Sequence, residues 1–391
     1  MANIISNIWK LYVIQALRYF LIIMPTIVLF FQENGLSMSQ IFLLQAIFSI
    51  SIVIFEIPSG YFSDVLGRKK TIVIGCTLGF IGLVIYSFSY GFFGFLAAEL
   101  LLGLGASFIS GTNSAMIYDT LSQSKKKNEY SKIEGRLQSV GNFSEAIASF
   151  LGGFIALISL RTNFYVETII VFFTIPLALS LIEPRRKLNL ERESPIKEII
   201  KIVKYSIHQH KEIKWLILYS AFISGATLTN VWLIQPYFNL VRLPLQYFGI
   251  AWGILNISVG IFALQAYKFE IFFGRRKSLI SLIILLFIGY ISLGIFSQLW
   301  GILFIVIFYF VRGISGPIVK DYVNKLIKSD MRATVLSVKN LFGRLVFSII
   351  SPFIGWIADV YTLQIAFINA GIIFFVLGLI SLLFLRFNRA L

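Results

Sequence analysis

Charged residues are scarce in this 391-residue chain, at 13%, and acids are scarcer than bases, with 18 Asp and Glu against 34 Lys and Arg. Hydrophobic residues fill 58% of positions and aromatics 16%. That leaves too little polar surface for a soluble protein of this size, and the mean hydropathy of +0.85 describes an integral membrane protein. A single cysteine, Cys76, excludes an intrachain disulfide. The two histidines, His208 and His210, form a His-Gln-His in a basic stretch without a neighbouring thiol or acid cluster, which reads as a solvated loop. No metal and no cofactor are therefore expected. The chain has no Gly-x-x-x-x-Gly-Lys-Ser/Thr loop, and Gly103-Leu104-Gly105 meets Phe108 where a dinucleotide loop needs its third glycine. No span pairs histidines, gathers metal ligands or activates a serine, so an enzyme is not expected.

What is there is a series of apolar runs with basic gaps. The net charge of +16 does not collect on one soluble face, as a nucleic-acid binder requires; it collects between the runs, the positive-inside distribution. Hydropathy places about twelve spans, at 8–31, 39–60, 71–89, 93–118, 137–159, 163–182, 213–238, 245–267, 278–297, 300–319, 334–357 and 362–385. Alternate loops, such as Gln32-Glu33-Asn34-Gly35 and Ser89-Tyr90-Gly91, carry no Lys or Arg, and two others carry only Arg161 and Arg242. The intervening loops hold Lys125-Lys126-Lys127, Arg185-Arg186-Lys187 and Arg275-Arg276-Lys277. Both termini are thus expected in the cytoplasm, with the chain a multi-pass protein of the plasma (inner) membrane. The first run is longer than a signal h-region and holds Arg18, so it reads as a span. The polar stretch 183–212 separates an N-terminal six-helix bundle, 1–182, from a C-terminal one, 213–391. Inside it Ile196, Ile199, Ile200, Val203 and Ile207 recur at helical spacing, as in a linker helix able to lie on an anionic leaflet.

The organising stretch is Gly60-Tyr61-Phe62-Ser63-Asp64-Val65-Leu66-Gly67-Arg68-Lys69-Lys70, read as a tight turn between two spans. Gly60 allows close helix approach, Gly67 permits positive φ, and the basic run holds the turn inside. Phe273-Gly274-Arg275-Arg276-Lys277 repeats Leu66 to Lys70 with a shift of 207 residues, although Ile271 stands where Asp64 would recur and Glu270 is one step away. The order Gly-x-x-x-Asp-x-x-Gly-Arg-Lys-Lys resembles the loop signature of the major facilitator superfamily, found between its second and third transmembrane helices. The resemblance implies an all-α membrane protein of twelve helices in two pseudo-symmetric six-helix bundles that rock about a central site. It also implies that Asp64 braces a span of the other half when the cytoplasmic side is closed, and the start of span eleven, near Arg332 to Ser337, suits it because helix N-termini favour anions. Asp64 forms an expected cytoplasmic gate with Gly60, Gly67, Arg68, Asp119 and Asp321, the two last residues having helix capping as their alternative role.

Ionisable side chains inside spans are costly and face a cavity or a partner. Arg18 and Glu145 fall at matching depths in spans one and five. They are expected to face the first half's cavity and to pair in one conformational state, either as a proton-coupling couple or as a fixed helix lock. Arg312 and Arg344 occupy spans ten and eleven, which in the resembling family contribute to the cavity wall; they either suit an anionic group on a solute or face the cytoplasmic mouth and bind helix C-termini or the opposite half. Glu99 opens Glu99-Leu100-Leu101-Leu102-Gly103-Leu104-Gly105-Ala106, similar to the family's span-four antiporter motif except that the motif has arginine where this chain has Glu99. The antiporter proton mechanism therefore does not transfer directly, and Glu99 is either a gate residue or a structural partner. Gln15, Asn113, Asn142, Asn230, Gln235 and Asn256 can bond a solute or a neighbouring helix. The expected function is secondary active transport of a small organic solute by a monomer, in contact with membrane lipids, coupled to protons and directed to efflux. The alternatives are uptake of an organic anion or nutrient and, more remotely, lipid flipping.

Overall fold

The computed structural model describes residues 4–185, 210–327 and 332–387. Among these residues there are helices and no strand. In chain order they are α1 (Ser6–Arg18), α2 (Ile27–Glu33), α3 (Met38–Leu66), α4 (Arg68–Phe88), α5 (Phe92–Gln123), α6 (Tyr130–Ile155), α7 (Leu160–Phe172), α8 (Thr174–Leu179), α9 (Lys211–Leu240), α10 (Gln246–Ile295), α11 (Ile305–Leu326), α12 (Arg332–Val360) and α13 (Leu363–Phe387). Nine stretches of the described residues are long and apolar enough to cross a bilayer. One of them, α10, is two helices joined at Gly274, whose φ of 68° and ψ of 165° are not helical. With the first span and the more polar α6, the passes come to twelve. The linker helix expected over Ile196 to Ile207, and His208, lie outside the described residues.

Local chemistry explains several helix starts. Before α3, Ser37 and Gln40 form a capping box: Ser37 N–H donates to Gln40 Oε1 at 3.1 Å and Gln40 N–H to Ser37 Oγ at 3.4 Å. Ser159 caps α7 by accepting from Arg161 N–H at 3.2 Å.

Two expectations about local structure are corrected. The stretch from Gly60 to Leu66 is not a turn, because α3 continues through it and only Gly67, at φ 105°, leaves the helix. Nothing between 60 and 66 breaks a helix, and a Cβ built on Gly60 would meet nothing within 4 Å, so Gly60 serves no close approach. The first span is not continuous either. It stops at Arg18 and restarts at Ile27, with Tyr19 to Thr26 running as turns around Pro25, which lacks an N–H and disfavours helix in the residue before it.

Contacts divide the chain into two compact units that cross the sequence halves. Unit 1 takes the described residues of Met1–Gly35, Ile47–Pro195 and Leu245–Gly253. Its core joins Leu11, Ile72, Ile109, Met116, Ile117 and Leu181. Small residues let its helices touch: a Cβ on Gly75 of α4 would fall 3.0 Å from the carbonyl of Gly105 on α5. At the first residues of α10, a Cβ on Gly249 would fall 2.1 Å from the carbonyl of Ser149 on α6. Unit 2 takes the described residues of Leu36–Ala46, Ile196–Pro244 and Ile254–Leu391. Three tyrosines tie α9 to the second part of α10 and to the residue just after it through backbone carbonyls: Tyr219 to Leu279 at 2.8 Å, Tyr290 to Ala226 at 2.6 Å and Tyr237 to Phe296 at 2.7 Å. These bonds satisfy hydroxyls that would be expensive to bury alone. The start of α3 belongs to this unit, where Asp359 at the end of α12 accepts the Met38 N–H at 2.7 Å and the Ser39 N–H at 2.8 Å.

Candidate functional site

In unit 1 the turn at Gly67 is built for charge. Positive φ at Gly67 turns the chain from α3 into α4 without a Cβ clash, exposing the first amides of α4. Glu183 accepts two of them, Arg68 N–H at 2.8 Å and Lys69 N–H at 2.7 Å, and its negative charge suits the helix N-terminus. The Arg68 side chain forks back: Nη1 lies 2.8 Å from Asp64 and donates to Ser63 Oγ at 2.7 Å, while Nε donates to Asp119 at 3.2 Å. Asp64 and Asp119 thus meet on one guanidinium, and Arg68 itself is mostly buried. A cleft of about 270 Å³ opens beside them, lined by Glu56, Ser59, Gly60, Ser63, Asp64 and Thr112 among others.

Unit 2 repeats the backbone and changes the partners. Gly274 again takes positive φ, and Arg275 follows it. Here the guanidinium lies over the Tyr322 ring, 4.6 Å from its centroid, and pairs with Glu212 at 2.9 Å. Asp321 pairs instead with Lys325, one turn on, at 2.5 Å. The matching cleft is larger, about 690 Å³, and includes Glu270, Arg275, Asp321 and Lys325.

Unit 1 holds four of the spans' ionisable groups, Arg18 and Glu145 half-buried and Glu99 and Glu167 buried. Arg18 ends α1, where a cation suits the helix C-terminus. Glu145 lies on α6, which packs along α1, next to Ser144, whose hydroxyl bonds the Ala16 carbonyl at 2.6 Å. The two groups expected to work as a couple thus stand on adjoining helices. Glu99 is buried and accepts the hydroxyl of Tyr86 at 2.6 Å, and the Tyr86 ring packs against Phe31, Phe95 and Phe164. The fourth group, Glu167 on α7, was not singled out by sequence, yet it is 2% exposed and accepts the Ile23 N–H of the first-span break at 3.1 Å. The rule that selects Glu145, an acid inside a span, selects Glu167 equally, and Pro25 marks the break it caps.

Arg161, expected only as a loop charge, fastens the far ends of three spans. It donates to the carbonyls of Ser87 at 2.9 Å and Ser89 at 3.0 Å and to Asn34 Oδ1 at 2.6 Å, with its guanidinium 4.1 Å from the Tyr90 ring centroid. In unit 2, Arg344 is half-buried on α12 and Arg312 is exposed on α11. Asn230 on α9 is fully buried, and neither polar atom of its side chain has a hydrogen-bond partner. Among the described residues, no group of three or more His, Cys, Asp or Glu is arranged to hold a metal ion.

The model of the Major Facilitator Superfamily matches residues 11–352. The chain belongs to this superfamily. That superfamily is one of multi-pass membrane transporters, not of enzymes. Two curated relatives show the range. An "Uncharacterized transporter" of Buchnera aphidicola subsp. Schizaphis graminum (strain Sg) is 28% identical over 56% of this chain and 54% of its own. "Quinolone resistance protein NorA" of Staphylococcus aureus (strain N315) is 23% identical over 42% of each. The chain thus spans about half the length of the curated relatives it matches. Solved superfamily structures share the fold over nearly the whole chain. The nucleoside transporter NupG superposes with a TM-score of 0.80 at 14% identity, covering 99% of this chain and 100% of that one. The D-xylose-proton symporter gives 0.71 at 16% identity, covering 97% and 96%.

Proposed function

We propose that this superfamily member is a secondary active transporter that moves a small organic solute by alternating access, drives it with protons and exports it from the cell. It works as a monomer in the plasma membrane, with both termini in the cytoplasm. The observation that carries the transport reading is the family match over residues 11–352. Export draws support from the relative whose name is quinolone resistance protein, and proton coupling from carboxylates held inside spans, Glu145 and Glu99, with Arg18 as a cationic neighbour. Gly60, Asp64, Gly67, Arg68, Asp119 and Asp321 form the cytoplasmic gate in this reading. Arg68 is its hub, because one guanidinium holding Asp64 and Asp119 can release one partner for another at small cost.

Uptake of an organic anion is the second reading, favoured by Arg18, Arg312 and Arg344, since guanidinium groups fork onto carboxylates and phosphates. One experiment separates the two. Purified protein is placed in vesicles loaded with a pH-reporting dye, a pH gradient is imposed, and a fluorescent quinolone or an aromatic carboxylate is added. Export coupled to protons moves the quinolone against the proton flow; symport moves the carboxylate with it. Flux of both that persists unchanged after the gradient is dissipated refutes proton coupling.

A further inference from the structure

The break in the first span and the buried polar groups around it are not used by any role assigned above. From Tyr19 to Thr26 the backbone leaves the helical ladder, which in a bilayer is tolerated only where neighbouring groups satisfy the freed amides and carbonyls. Side chains from α7 do so. Glu167 accepts the Ile23 N–H at 3.1 Å, and the Ile22 N–H lies beside the same carboxylate. Asn163, one turn earlier and fully buried, donates to Thr26 Oγ1 at 3.1 Å and to the Gly152 carbonyl at 3.2 Å. Its own Oδ1 is buried without a partner. Gly152 of α6 completes the seat, since a Cβ there would fall 2.1 Å from the Ile22 carbonyl.

The described interactions of Glu167 are with backbone N–H groups. The titratable and charged groups on the elements around it are engaged or stand apart. On α4, Tyr86 donates to Glu99 of α5. On its own helix, Arg161 is held by Ser87, Ser89 and Asn34. Arg18 ends α1 just before the break and Tyr19 is the break's first residue; Glu33 closes α2 beyond it, Tyr165 of α7 is exposed, and Glu145 lies about two turns before Gly152 on α6. A buried carboxylate whose described partners are backbone amides is more expensive to bury as an anion than as an acid. Its two forms also treat the break differently: the anion accepts a charge-assisted bond from Ile23, whereas the neutral acid accepts a weaker one and gains a proton to donate.

We propose that Glu167 is a proton-binding site of the carrier, and that taking up a proton there loosens the break in the first span. The step is a simple protonation: one proton from water adds to one carboxylate oxygen, and the Ile23 N–H loses its anionic acceptor. Interrupted spans are where transporters place ions and substrates, and a break controlled by one proton couples charge to backbone shape. This inference rests on the proton-coupled reading above.

Amide hydrogen exchange of residues 19–26 tests it on the full-length protein without a solute. After correction for intrinsic exchange, protection of the Ile23 amide is expected to fall about tenfold on acidification, the loss of one charge-assisted bond. In Glu167→Gln protection is expected to be independent of pH. If that variant does not fold, Glu167→Asp supplies the comparison, with the transition kept but its midpoint moved. A wild-type break whose protection ignores pH, or a Glu167→Gln response equal to wild type, overturns the proposal. Dye-loaded vesicles without proton movement, together with a pH-responsive break, overturn the coupled-transport reading alone; proton movement with an inert break overturns this inference alone.

Discussion

Gly249 offers a test in which one added carbon should decide a conformational equilibrium. A Cβ at this position would lie 2.1 Å from the Ser149 carbonyl oxygen, 2.8 Å from the Gly153 nitrogen and 3.1 Å from the Gly153 Cα. Ordinary contact begins near 3.4 Å, so the shortfall against the carbonyl is 1.3 Å. All three obstacles are backbone atoms. No rotamer change can relieve them, and α6 must move away from the start of α10. Overpacking commonly costs about 1–3 kcal/mol, and a backbone-to-backbone block belongs at the upper end. If the chain alternates between arrangements within a few kcal/mol, as proposed above, about 3 kcal/mol reduces this arrangement roughly 100-fold.

Spin labels at Leu151 and Tyr247, which are 46% and 47% exposed, report the contact by pulsed electron resonance. The lone natural thiol, Cys76, is buried and leaves the background quiet. Gly249→Ala is expected to remove the short-distance population and to slow transport in proportion. Gly260→Ala is the control: it lies on the same helix with nothing within 4 Å of its Cβ, so it gains the same helix propensity without the clash. An unchanged short-distance population in Gly249→Ala, with Gly260→Ala identical to it, refutes the steric argument.

Three further outcomes follow from named contacts. Glu183→Ala removes the acceptor for two α4 amides and should cost about 1 kcal/mol of stability, seen as earlier thermal unfolding, while Glu183→Gln costs less. Asp359→Ala uncaps the start of α3, and amide exchange at Met38 and Ser39 should accelerate about fivefold, for a capping loss near 1 kcal/mol, without change at Tyr219 or Tyr290. Glu145→Gln should abolish proton-driven flux in vesicles while leaving expression intact, and normal accumulation would reduce Glu145 to packing.

How much of this was legible depends on whether a feature announces itself in side-chain type or in backbone partnership. Twelve passes and the basic turn were readable because hydropathy and charge are properties of composition. The break at Tyr19 to Thr26 was not, since its residues are as apolar as the helices they join; only Pro25 marks it. Asp359 was beyond reach for a different reason, as its partners are amides some 320 residues away in sequence and amides carry no sequence signature. The repeated turn shows where the boundary lies. Both copies keep a glycine at positive φ, which the backbone geometry favours, and an arginine after it. The acid four residues before that arginine was kept only once. In the second copy Tyr322 and Glu212 take the guanidinium, so Ile271 in place of an aspartate leaves no cation stranded. A duplicated motif that keeps a geometry and exchanges its partners reads as degenerate by sequence and is complete by structure. The missing acid at 271 therefore marks a change of partner for Arg275, with the work of the turn retained.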